Sequence, residues 1–86
     1  MKSIWIANYE NNEIKVVNTW FNGERLYVND ILQDKTFGGF STKLTGHLIN
    51  RKNERENIKV NLGAGFCKVN CLLFINDKKV EVRKEK

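Results

Sequence analysis

The sequence predicts an all-β fold, a small antiparallel β-sandwich or flattened barrel of about eight short strands. Three observations carry that expectation. Apolar residues recur with period two in short runs, as at Ile4 and Ile6, Ile14 and Val16, and Ile58 and Val60. The runs are broken by turn-forming pairs, Asn11–Asn12, Asn22–Gly23, Asn29–Asp30 and Asn76–Asp77, in a chain without proline. No segment shows the apolar period of an amphipathic helix.

Taken in order, residues 3–9 read as a first strand, with Ile4 and Ile6 on the core face and Trp5 on the other. Residues 10–13 turn the chain into a second strand at 14–19. Asn22–Gly23 predicts a type I′ turn, because both residues tolerate positive φ, and a third strand follows at 24–28. Asn29–Asp30 leads into a short strand at 31–33, and 34–39 reads as a loop around Gly38–Gly39. The strand at 40–49 contains Gly46, which predicts a bulge or close packing. Residues 51–56 read as a charged, solvent-facing turn, and the strand at 58–62 as ended by Gly63–Ala64–Gly65. The run 66–75 is apolar on both faces towards its end, the pattern of a central strand covered on both sides. Asn76–Asp77 then turns the chain into a last strand at 79–83, with 84–86 as a frayed basic tail.

The expected core is Ile4, Ile6, Ile14, Val16, Leu26, Val28, Leu44, Leu48, Ile58, Val60, Leu62, Val69, Leu73 and Ile75. The chain reads as one domain over residues 1–86. Within it, Ile14-Lys15-Val16 with LYVND at 26–30 echoes Ile58-Lys59-Val60 with LFIND at 73–77. That echo predicts two similar units, 14–33 and 58–82, packed face to face.

The formal charge of +5 is unevenly placed. Five basic and five acidic residues balance over 1–43, so the whole excess lies in 44–86. Such an excess raises the prospect of a polyanion partner, although glutamates interrupt each basic cluster. Cys67 and Cys71 on one strand would sit roughly 13 Å apart, beyond the ~7 Å between Cα atoms that a disulfide spans. Free thiols imply a reducing compartment, and the expected location is the cytoplasm. With His47 as the single histidine, no metal set is expected, and no cofactor motif is present. No apolar run approaches the ~20 residues of a membrane helix, and the N-terminus lacks a signal-peptide stretch.

Catalysis has little in its favour. Ser3 and Ser41 lie outside any nucleophile-elbow pattern, and a hydrolase would need His47 beside a carboxylate in a cleft. The expected function is therefore that of a non-catalytic binding module, foremost for a protein partner. Its candidate contact residues are Trp20 and Phe21, next to the Asn22–Gly23 turn, and Phe37 and Phe40 around Gly38–Gly39. The alternative is a nucleic-acid or polyanion binder using Arg25, Lys68, Lys78, Lys79, Arg83 and Lys84. A core of this size has little to spare against chain entropy, which leaves room for a homodimer that covers an edge strand.

The segments NTWFNGERLYVNDILQD (18–34) and KLTGHL (43–48), with FIN at 74–76, resemble a family of small bacterial β-proteins with no assigned activity. Leu26, Tyr27, Val28, Asn29, Leu32, Gln33, Asp34, Gly46, Phe74, Ile75 and Asn76 carry the likeness, which covers most of 14–80 and implies fold alone. The paired strand–turn units are also distantly similar to the β-sandwich repeats of Fas apoptotic inhibitory molecule. Neither resemblance implies a catalytic residue.

Overall fold

The computed structural model describes residues 2–19, 23–36, 41–65 and 68–85. Nine strands follow one another in it: β1 (Lys2–Tyr9), β2 (Asn12–Thr19), β3 (Gly23–Val28), β4 (Ile31–Thr36), β5 (Ser41–Ile49), β6 (Arg55–Gly65), β7 (Lys68–Ile75), β8 (Lys78–Val80) and β9 (Arg83–Lys84). They form two antiparallel sheets, ordered β4-β3-β2-β1-β9 and β5-β6-β7-β8. Each sheet is a meander, so every strand from β1 to β4 and from β5 to β8 pairs with its neighbour in sequence. The chain passes between sheets twice, from β4 to β5 and from β8 to β9. This is a small β-sandwich.

The two inner faces meet in an apolar core. Trp5, Val16 and Leu26 form one cross-strand row and Ala7, Ile14 and Val28 the next. The facing sheet supplies Leu44, Val60 and Leu73, then Gly46, Ile58 and Ile75. Ile14, Val16, Leu26, Leu44, Ile58, Val60, Leu73 and Ile75 are fully buried.

On β1 the inward parity is the reverse of the expected one. Trp5 and Ala7 are buried, while Ile4 and Ile6 stand on the outer face. The tight turn at Glu10–Asn11 sets Tyr9 opposite Asn12, which aligns Trp5 and Ala7 with Val16 and Ile14. β1 is apolar on both faces, so the partner strand decides, and Trp5 removes the larger area from water. The side chain of Val69 lies outside the described residues.

The two Asn–Asp turns are built alike. Asn29 and Asp30 have φ of 51° and 66°, Asn76 and Asp77 49° and 67°, the positive pair that a type I′ turn requires. Asparagine serves at the first position because its side-chain carbonyl can close the neighbouring strand. Asn29 Oδ1 accepts from Glu13 N, and Asn76 Oδ1 from Asn57 N, both at 2.9 Å. Each turn adds a lysine–aspartate pair, Lys15–Asp30 at 3.4 Å and Lys59–Asp77 at 3.3 Å.

A polar layer closes this end of the sandwich. The buried Glu56 carboxylate accepts from Tyr9 Oη (2.9 Å), Asn50 Nδ2 (2.6 Å) and Asn76 Nδ2 (3.2 Å). Buried Asn12 donates to the carbonyls of Glu10 and Ile49, and its Oδ1 accepts from Asn29 Nδ2. The bond to Glu56 raises the Tyr9 pKa above its ordinary value, with burial and the charges of Glu56 and Glu10 adding to it. Glu56 is thus a core-side residue at the start of β6, where a solvent-facing turn was expected.

Other boundaries also differ. Gly23 pairs with Thr19 and has φ of 82°, so the strand begins at Gly23 itself, and Trp20, Phe21 and Asn22 lie outside the described residues. Asp34–Thr36 belong to β4 instead of a loop, and β6 continues through Gly63, Ala64 and Gly65 by pairing with Asn70, Val69 and Lys68. The run expected as one strand at 79–83 is two: the chain crosses between sheets at Glu81–Val82. Lys84 pairs with Trp5 and Glu85 N donates to Ile4 O at 2.8 Å, which ties 84–85 to the first sheet instead of leaving them frayed.

Candidate functional site

β7 is central in its sheet, between β6 and β8, but among the described residues only one of its faces is covered. Leu72 is 41% exposed and Phe74 half-buried, because a two-layer sandwich has no third layer to place over them. No described residue covers the outer face of the four-stranded sheet, and strand register fixes what it carries. One row runs Thr45–Lys59–Phe74–Lys79 across all four strands. Beside it lie Lys43–Asn61–Leu72 on one side and His47–Asn57 on the other, followed by Ile49–Arg55.

Among the described side chains at these strand positions there are four full cations, Lys43, Arg55, Lys59 and Lys79, and no carboxylate. Asp77 in the turn meets Lys59, and exposed Glu81 follows just past the end of β8. That ion pair is exposed on both sides and holds the lysine weakly. Phe74 thus sits between two lysines, and among the described residues no cation covers its ring.

A depression of about 500 Å³ opens on this face, lined by Gln33, Thr45, Gly46, His47, Arg55, Asn57, Ile58 and Lys59. A second, of about 270 Å³, is lined by Asn57, Lys59, Asn76 and Asp77 and so adjoins the first. The wall at Gln33 comes from the other sheet. A bulge in β4 between its pairings to Leu26 and Tyr27 turns consecutive side chains towards β5. Asp34 Oδ2 accepts from Thr45 N at 2.9 Å and Gln33 Oε1 from His47 N at 3.4 Å.

The opposite outer face, on the five-stranded sheet, is arranged differently. Ile4, Ile6, Val17, Tyr27 and Leu32 share it with Lys15, Arg25, Lys35 and Arg83. Here Lys15 Nζ lies 5.3 Å from the Tyr27 ring centroid and also meets Asp30, while Arg83 Nε is 2.6 Å from Glu85. Its aromatic ring already has Lys15 over it, and Lys15 and Arg83 each meet a carboxylate in an exposed pair, as Lys59 does on the other face.

The sequence-predicted polyanion residues are divided between these faces. Arg25 and Arg83 lie on the five-stranded sheet, Lys79 beside Phe74 on the other. Lys84 is paired opposite Trp5, and Lys78 opposite Ile75. Lys68 pairs through its backbone with Gly65, and its side chain lies outside the described residues. So do Trp20, Phe21, Phe37 and Phe40, the residues expected to meet a protein partner, and Cys67. Phe74, Lys59, Arg55 and Lys43 were missed as a group. The signal was in the alternation: Arg55, Asn57, Lys59 and Asn61 occupy the parity opposite to Glu56, Ile58 and Val60.

For catalysis, the His47 ring is bonded to no carboxylate among the described residues, and these contain no group of three metal-ligating side chains. Cys71 is a free thiol packed against the core, its pKa pushed up to about 12 by burial, which makes it a poor nucleophile. No helix among the described residues is long and apolar enough to cross a membrane. Comparison with protein-family models, curated proteins and solved structures finds no match for this chain.

Proposed function

We propose that this protein is a non-catalytic binding module that takes single-stranded nucleic acid across the outer face of the β5–β8 sheet. The observation that carries the reading is the Lys59–Phe74–Lys79 row, a half-buried aromatic ring that no cation caps among the described residues, between two cations on a face whose described strand positions hold no carboxylate. A base stacks on an aromatic ring whatever its identity, and flanking cations neutralise the phosphates. Lys43 and Arg55 extend the charge along β5 and β6. On this reading Phe74 is the stacking platform, and Lys43, Arg55, Lys59 and Lys79 are the phosphate contacts.

The test is the anisotropy of a labelled oligothymidylate titrated at several salt concentrations. With four phosphate contacts, log K should fall against log salt with a slope of about −3, since each contributes about −0.7 on a single strand. Phe74→Ala should weaken binding by roughly 5- to 150-fold while keeping that slope, because a stacked base contributes about 1–3 kcal/mol. Binding that ignores both salt and Phe74 would contradict the proposal.

A protein partner is the second reading. It is favoured by Ile31, Leu32 and Ile49, which are 66%, 47% and 47% exposed at the ends of β4 and β5. A partner held there should survive nuclease and high salt.

A further inference from the structure

We infer that the depression beside His47 and Arg55 is a seat for a phosphoryl group, and that it fixes where along β6 a bound strand is held. The inference rests on the nucleic-acid reading and adds a defined anion site to it.

Arg55, Asn57 and Lys59 occupy alternate positions on the outward face of β6, so successive side chains stand roughly 7 Å apart. His47 lies directly across from Asn57, and Thr45 directly across from Lys59. Five donor-bearing side chains from two adjacent strands therefore border one depression of about 500 Å³. Arg55 forms no ion pair and Asn57 no side-chain hydrogen bond among the described residues, so both can turn to a ligand. The guanidinium offers a planar fork of donors matched to two phosphoryl oxygens, and the amide, imidazole and hydroxyl groups can reach the rest.

A tetrahedral anion suits this set better than a planar carboxylate, because the donors approach from both strands and not from one edge. The volume is in the range of small-ligand sites, larger than one ion needs, and would hold a phosphate with its sugar. Lys59 connects the seat to the stacking row, being two residues from Asn57 and directly across from Phe74. Asn57 is thus a diagonal neighbour of Phe74, and Arg55 stands roughly 7 Å further along β6, so a bound strand would run along β6 from the seat to the Phe74 ring.

The phosphate could belong to a strand interior, a strand terminus or a free anion, and the probes separate these. A labelled oligothymidylate with a 5′-hydroxyl, the same oligonucleotide with a 5′-phosphate, and inorganic phosphate as competitor are compared at constant ionic strength. The variants are Arg55→Ala and, as a charge-matched control at the β5–β6 turn, Lys52→Ala. Both residues are exposed and leave the core untouched. Arg55→Ala should weaken oligonucleotide binding about tenfold, the loss expected for a charge-assisted pair of hydrogen bonds, and Lys52→Ala much less. Inorganic phosphate should compete with the natural chain and not with Arg55→Ala. Tighter binding of the 5′-phosphorylated strand assigns the seat to a terminus, and equal binding assigns it to the backbone. Equal losses in the two variants, without phosphate competition, would overturn the seat while leaving a Phe74-dependent strand site standing. Direct phosphate binding lost in Arg55→Ala, with no oligonucleotide binding at all, would keep the seat and overturn the nucleic-acid reading.

Discussion

At Gly46 a single methyl group decides whether the two sheets can approach. A Cβ placed there would lie 3.0 Å from Leu26 Cδ2 and 3.2 Å from Gln33 Cβ, and Leu26 is completely buried with nowhere to move. Gly46→Ala should therefore cost about 1–3 kcal/mol through overpacking. Gly63 sits in the neighbouring strand, where an added methyl group would meet no atom within 4 Å. Gly63→Ala should stabilise by about 0.5–1 kcal/mol, because alanine loses less backbone freedom on folding. Urea unfolding of both variants checks the pair, and a similar effect from each would contradict it. The sequence marked Gly46 as a bulge or a close-packing position, and β5 and β6 show close packing without any register break. It could not orient Trp5, because both parities of β1 are apolar and only the pairing with β2 separates them.

Among the elements, β4 was the hardest to read. Its residues Asp34, Lys35 and Thr36 are polar and shortly precede two glycines, which is loop chemistry. Their strand conformation depends on what Gln33 and Asp34 do for β5, which no local pattern displays. Edge strands carry unpaired N–H groups that invite another strand, and here two side-chain oxygens cap those of Thr45 and His47. The double variant Gln33→Ala with Asp34→Ala should expose that edge and raise self-association above that of the natural chain in sedimentation velocity. Unchanged sedimentation over the whole concentration range would show that these caps do not guard the edge. β8 and β9 posed the opposite problem. The alternation through Lys79, Val80, Glu81, Val82 and Arg83 is continuous, but the chain uses it to cross between sheets.

On the scale of the molecule, the charge asymmetry of the sequence becomes an asymmetry between sheets. The balanced stretch 1–43 builds β1–β4 and the start of β5, and the basic stretch 44–86 builds the rest of β5 with β6–β8 and then contributes only the short β9 to the first sheet. Fold class and most of the core were legible because period two and turn chemistry are local signals. The candidate surface was not. Its members come from β5, β6, β7 and β8, and only the register Lys59–Phe74–Lys79 makes them one row. Of the glutamates that interrupt the basic clusters along the chain, Glu56 leaves the face by pointing inward, while Glu54, Glu81 and Glu85 stay exposed. The measurement that tests the central claim most directly is photo-cross-linking of a 5-iodouridine oligonucleotide, with the attachment site read by mass spectrometry. Cross-linking at Phe74 is the expected result. Attachment at Tyr27, or at Trp20, Phe21, Phe37 or Phe40 with Phe74 untouched, would contradict it.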